Sequence, residues 1–217
     1  MSEKTTIETR TDRPRLEARG LGIDRGDTRL FSDLDLAVET GQAVQIEGAN
    51  GCGKTTLLRV LCGLTEYDEG EVLWCGETIR EAFADFAAEV CYIGHAAGVK
   101  EELTPIENLE MARALGPSRD LEPEEVLERV GLSYEQETVP CRKLSAGQRR
   151  RVALGRLLLR DARLWVLDEP FTALDRAGRS MVEGMLQEHV TAGGMAILTT
   201  HHAVELGTCS VDVVHLS

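Results

Sequence analysis

Apolar residues recur along this chain with two different periods, and the switches between them outline a fold. Early in the chain, residues 15–24 (RLEARGLGID), 34–40 (LDLAVET), 42–48 (QAVQIEG) and 71–76 (EVLWCG) are short apolar or alternating runs. Turns rich in Gly and Asp separate them, so they predict β-strands. The segment KTTLLRVLCGL, starting at Lys54, is apolar at helical spacing and stops at Gly63. The middle third predicts helices. Thr104, Pro105 and Glu107 form a capping-box start, 122–132 (EPEEVLERVGL) makes a second helix, and Ser145 opens a third through AGQRRRVALGRLLLR. Strand and helix then alternate again: RLWVLDEP, a helix across 176–190, and MAILTTH. Wholly apolar strands interleaved with helices indicate a parallel sheet covered on both faces. The pattern predicts an α/β fold over residues 15–217, one domain with a helical lobe inserted at about 96–155. The first 14 residues are polar and predict a disordered tail.

With 217 residues the chain can bury a large core. No apolar run approaches the ~20 residues that span a bilayer, and the polar N-terminus has no apolar signal region, which predicts a cytoplasmic protein. A net charge of −13 argues against a nucleic-acid surface. Seven carboxylates and one Arg lie between Asp120 and Glu137. That run fits a solvated face, an acidic docking patch or adaptation to a salty cytoplasm. The six cysteines show no CxxC pair or metal-ligand spacing and predict buried free thiols. Cys52 differs because it sits in a glycine loop, where it would make the protein sensitive to thiol reagents.

That loop carries the first chemistry. GANGCGKT, Gly48 to Thr55, matches G-x-x-x-x-G-K-[ST] in full, between a strand and a helix. In such a loop the backbone N–H groups of Gly48, Ala49, Asn50, Gly51, Cys52 and Gly53 wrap phosphates, with Thr56 just beyond. Lys54 reaches the β- and γ-phosphates and the Thr55 hydroxyl ligates Mg²⁺. Asp168 ends an apolar strand, placed to hold Mg²⁺ through water. Glu169 follows at once, where a carboxylate polarises an attacking water as general base. A second anion site stands at LSAGQ. Ser145, Ala146, Gly147 and Gln148 open a helix whose unpaired N–H groups and dipole favour negative charge.

Beside a complete phosphate loop, LSAGQ resembles the signature motif of the ATP-binding cassette (ABC) ATPases. TALD after DEPF resembles that family's D-loop, with Asp175 facing across a dimer. His201 in ILTTHH occupies the position of the switch histidine that senses the γ-phosphate. Asp168 lies 23 residues after Ser145 and His201 a further 33 on, spacings that fit the family. The resemblance runs from about Arg15 to Ser217. It implies a P-loop NTPase core with a small antiparallel β subdomain and an inserted helical subdomain, using ATP and Mg²⁺. It also implies a head-to-tail dimer in which each chain offers its signature helix to the ATP held by the other.

Two positions depart from the general family pattern. His95, in CYIGH, stands where a Gln usually couples nucleotide to a membrane partner; a functional and a local structural role are both open. Arg25 falls where an aromatic often stacks on adenine, and either stacks on the base or faces solvent. Within the family, QIEGANGCGKTTLLRVLCGL, GHAAGVKEELTPIENL and LSAGQRRRVALGRLLL resemble the ATPase of the haem exporter of cytochrome c maturation. In that branch the Gly-His pair is itself a shared feature. The resemblance implies a peripheral protein on the cytoplasmic face of the bacterial inner membrane, with an integral permease partner. Its work there would be haem export or release of a haem-loaded chaperone. No haem motif is present: there is no CxxCH or Cys-Pro, and the five histidines are scattered. An exporter of drugs, lipids or polysaccharides is the alternative, followed by a soluble ABC ATPase acting on DNA or ribosomes. A kinase or GTPase fits poorly, since LSAGQ and TALD have no place there and no N-K-x-D is present.

Overall fold

The computed structural model describes residues 15–26, 28–207 and 209–216; the expected tail of residues 1–14 lies outside the described residues. The described chain begins with a long hairpin. Strand β1 (Arg15–Arg25) pairs antiparallel with β2 (Thr28–Glu39), from Arg15 opposite Glu39 to Arg25 opposite Thr28. β2 starts six residues ahead of the predicted strand. Its first half, TRLFSD, buries only Phe31 and so lacks the alternation that marks the rest. The chain continues through β3 (Ala43–Gly48), α1 (Lys54–Leu61), β4 (Glu69–Trp74) and β5 (Glu77–Thr78). A short α2 (Phe83–Glu89), which the sequence did not predict, leads into β6 (Val90–Ile93). Only Phe86 of α2 is buried, too little for a periodic signal.

Helices α3 (Pro105–Arg113), α4 (Pro123–Arg129), α5 (Tyr134–Glu137) and α6 (Ala146–Leu159) follow, with α3 and α4 packed on α6. The predicted caps of α3 and α6 form as capping boxes. Thr104 Oγ1 accepts from the Glu107 N–H at 3.2 Å while Glu107 accepts from the Thr104 N–H at 2.8 Å. Ser145 and Gln148 make the same exchange at 3.2 and 2.8 Å. Then come β7 (Leu164–Asp168), α7 (Arg176–Thr191), β8 (Met195–Thr199) and β9 (Val211–Leu216).

Two sheets result. β2-β1-β4-β5 is antiparallel, and β6-β7-β8-β3-β9 is parallel throughout. The parallel strands read as continuous apolar runs because each face meets a different core. Leu164 and Val166 of β7 join Met195 and Ile197 of β8 in the core shared with α1 and the antiparallel sheet. Trp165 and Leu167 join Ala196 and Leu198 in the core under α6 and α7. Side chains alternate between faces of a strand, so both sets must be apolar.

One buried polar ring belongs to this second core. His189 of α7 stacks on Trp165 with centroids 3.8 Å apart and planes 5° from parallel. Its Nε2 lies 3.2 Å from the carbonyls of both Arg163 and Met195, so that nitrogen carries the hydrogen. Burial pushes its pKa down from 6.5 to about 4. Between those values the unfolded chain binds the proton and the fold does not. Stability is therefore complete above about pH 6.5 and falls as the pH drops toward 4. The loss amounts to about 3 kcal/mol at most. In urea denaturation, His189→Phe should lower the midpoint at pH 7 but fall less steeply than wild type between pH 7 and 5. Parallel pH profiles would contradict this account.

Candidate functional site

The carboxyl ends of β3, β7 and β8 lie side by side, and the first candidate site is built on them. The glycine loop turns directly off β3. A β-carbon on Gly48 would stand 2.5 Å from the Leu216 carbonyl and 2.6 Å from Cys52 Sγ, so only glycine fits there. Lys54, the first residue of α1, donates to the carbonyls of Gly48 at 2.7 Å and Ala49 at 3.1 Å. Two of its three donors brace the loop, leaving one for a ligand.

One residue on, the Thr55 hydroxyl donates to Asp168 Oδ2 at 2.8 Å. The other Asp168 oxygen accepts from Thr199 Oγ1 at 2.7 Å. Asp168 is only 2% exposed, so both hydroxyls are needed to offset its desolvation. The structure thus brings together Thr55 and Asp168, the two residues the sequence assigned to Mg²⁺. Glu169 follows with φ of 50°, its N–H held by both the carbonyl and the hydroxyl of Thr199. Its Oε1 lies 3.4 Å from His201 Nε2.

These groups surround a cleft of about 450 Å³, a size suited to a small ligand. Asn50, Gly51, Gly53, Lys54, Thr55 and Thr56 line one side. His95, Asp168, Glu169 and His201 line the other, and Arg25 stands at the edge beside Leu30. The side-chain lining does not include Gly48 or Ala49, whose carbonyls accept from Lys54, and the Cys52 thiol packs under Gly48 instead of facing the cleft. Past Arg25, Leu30, Thr55 and Thr56 an adjoining hollow of about 740 Å³ reaches Ile23 and Tyr67. Burial first, then the charge of Asp168, pushes the half-buried Tyr92 hydroxyl up to about 12, so this residue of β6 stays neutral.

Ser145, Ala146, Gly147 and Gln148 lie elsewhere, in a groove of about 500 Å³ with Asp175. Gly147 meets the next loop so closely that a β-carbon would stand 2.6 Å from the Ala173 carbonyl. The Ser145 Oγ accepts from Gln148, which leaves its own hydrogen free to donate. Asp175 caps α7, accepting from the Gly178 N–H at 2.8 Å and from Arg151 at 2.9 Å. The Gly178 bond first, with Arg151 adding to it, holds the Asp175 carboxyl below the usual range. The two clefts share no lining residue.

The family model described as ABC transporter matches residues 31–172. A Methylococcus capsulatus protein, "Cytochrome c biogenesis ATP-binding export protein CcmA", is 51% identical over 195 residues, covering 88% of this chain and 94% of its own. The chain belongs to the CcmA family of ABC ATPases. Another CcmA, from Nitrosococcus oceani, is 48% identical over 193 residues, covering 89% and 88% of the two chains. The CcmA fold is that of solved cassettes. One, a dimer in a post-hydrolysis state bound to ADP and Pi, superposes with a TM-score of 0.79 at 20% identity over 93% of this chain and 94% of its own. The expected P-loop α/β core is thus present in this chain, and no helix among the described residues is long and apolar enough to cross a membrane.

Sequence reasoning passed over two site residues. Thr199 ends a wholly apolar strand, as Asp168 does, and that parallel was its one signal. Arg150 hides in the run RRR, yet its phase with Ala153, Leu154 and Leu157 puts it on the buried stripe of α6. Thr199→Val keeps the shape but strips Asp168 of one donor and the Glu169 N–H of one acceptor. It should cost about 1–3 kcal/mol in urea denaturation, with Thr199→Ser close to wild type. Unchanged stability in the valine variant would contradict this arrangement.

Proposed function

We propose that this chain is the ATP-hydrolysing subunit of a cytochrome c biogenesis exporter. In this reading residues 15–217 form one nucleotide-binding domain with a helical lobe inserted at about 96–155. The observation that carries the proposal is the presence of two clefts with no residue in common. In this reading a nucleotide seated on the glycine loop occupies the first cleft and leaves Ser145 of the same chain uncontacted. The signature groove therefore acts on the nucleotide of a second copy, and two copies packed head to tail enclose two ATPs. The dimeric cassette of the same fold, bound to ADP and Pi, supports this arrangement.

Each residue then has a task. Backbone N–H groups from Gly48 to Gly53 cradle the phosphates and Lys54 binds the β- and γ-phosphates. The Thr55 hydroxyl and Asp168 carboxylate are hard oxygen donors 2.8 Å apart, a pair that fits Mg²⁺. Among the described residues no group of three or more His, Cys, Asp or Glu could hold a metal, so water and phosphate would complete the coordination. Mg²⁺ supplies charge neutralisation at the phosphate oxygens. Glu169 polarises the attacking water, and His201 beside it senses the γ-phosphate. Ser145 and the Gly147 N–H of the second copy, with Ala146, Gln148 and Asp175 nearby, close on that phosphate. Arg25 stacks on the base where the cleft opens toward Tyr67, with Thr56 lining the same cleft as part of the glycine loop's nucleotide site. His95 bonds a water over the cleft.

The segment from His95 to Asn108 docks an integral permease, which puts the chain on the cytoplasmic face of the inner membrane. Haem, or a haem chaperone, enters through the relatives' role in cytochrome c biogenesis. Nucleic acid has no part, given the net charge of −13.

Deleting the gene should abolish covalent c-type haem on a haem-stained denaturing gel. Complementation with wild type, but not Glu169→Gln, should restore it. An unchanged cytochrome pattern would sink the cytochrome c assignment and point to another exporter.

A further inference from the structure

Arg150 is a buried cation with no ion pair among the described residues. It is 4% exposed, and all five of its N–H donors point at main-chain carbonyls. Nε donates to Pro170 at 3.3 Å, and Nη2 to Asp168 and Glu169 at 2.8 and 2.9 Å. Nη1 donates to Gly94 at 2.8 Å and, more weakly, to His95 at 3.5 Å. Burial holds its pKa below the ordinary arginine value. A guanidinium this deep is tolerable because every donor is used and the Asp168 and Glu169 charges lie close by.

Its contacts fall on a strained residue. Glu169 has φ of 50°, the left-handed region that a residue with a β-carbon adopts only when its surroundings enforce it. Its N–H is fixed by Thr199 and its carbonyl by Arg150, so two side chains from different elements hold both ends of that residue. Relaxation of the backbone would swing the carboxylate away from His201.

We propose that Arg150 is the positioning residue for Glu169: its fork holds the 168–170 carbonyls, keeps Glu169 in the left-handed conformation and aims its carboxylate into the cleft. The same fork ties that strand end to the Gly94–His95 loop and to α6, whose N-terminus carries the signature residues. Arg150 touches none of the residues assigned to phosphate binding, and it meets Asp168, Glu169 and His95 only at their carbonyls. The proposal rests on the reading of Glu169 as the carboxylate that polarises water.

The test is steady-state ATP hydrolysis by the full-length chain carrying Arg150→Met, Arg150→Lys, Arg156→Met or Glu169→Gln. Arg156 lies on the same helix, is half-buried and donates to the Ala97 carbonyl at 3.1 Å, away from the strand end, so it controls for loss of a carbonyl-bound guanidinium from α6. Arg150→Met should lower kcat about tenfold or more with the KM for ATP within about threefold, because misaiming a catalytic group spares ground-state binding. Arg156→Met should leave kcat within about threefold of wild type. Arg150→Lys keeps the charge without the fork and should not restore kcat. If Arg150→Met does not fold, the lysine variant alone decides. In single turnovers, adding Arg150→Met to Glu169→Gln should cost nothing further, since both changes act through one carboxylate.

Equal losses in the Arg150 and Arg156 variants, a rise in KM alone, full rescue by lysine, or additive losses in the double variant would each overturn the proposal. A Glu169→Gln protein that still hydrolyses ATP would instead overturn the reading of Glu169.

Discussion

A carboxylate with 2% of its surface exposed is the constraint on which the rest of the site depends. Asp168 is accommodated in that setting because hydroxyls from two other elements donate to its two oxygens. Removing either donor leaves a buried acceptor unsatisfied, which costs more than an ordinary hydrogen bond contributes. The bonds therefore hold three pieces of backbone together: the start of α1 with its glycine loop, the end of β7 and the end of β8. Thr199 then also accepts from the Glu169 N–H, so the same hydroxyl that steadies Asp168 sets the next residue. The cleft takes its shape from the satisfaction of one charge.

Helix α6 connects that cleft to the second groove. Its N-terminus presents Ser145 to Gln148 to the groove, and its second turn carries two arginines with different destinations. Arg151 reaches Asp175 at 2.9 Å and the Val130 carbonyl at 2.7 Å, stiffening the groove. Arg150 reaches inward to the end of β7 and the His95 loop. Both clefts therefore lean on one helix, with Gln148 and Arg150 less than a turn apart on it.

Much of the layout was legible in the sequence because it rests on local chemistry. The strand, glycine loop and helix around Lys54 follow from residue type and order, and the caps at Thr104 and Ser145 form as their side chains predict. Parallel strands announced themselves as apolar runs, since both faces of β7 and β8 are covered. What stayed hidden depends on tertiary contact. The first half of β2 buries one side chain and shows no period. Thr199 is a plain threonine until Asp168 lies beside it. Arg150 reads as surface charge until the carbonyls of β7 and the His95 loop converge on it, although its helical phase with Leu154 and Leu157 marked it as inward. The position of Cys52 in the loop said nothing of its direction, which is set by the close approach of Gly48 and Leu216.

The central claim is that the two clefts of one chain meet only across a pair of chains. Sedimentation velocity of Glu169→Gln with and without Mg²⁺ and ATP tests it most directly. The account predicts a monomer without nucleotide and a dimer with it, and a monomer throughout when Ser145→Arg is added. A Glu169→Gln protein that binds ATP and remains monomeric would contradict it.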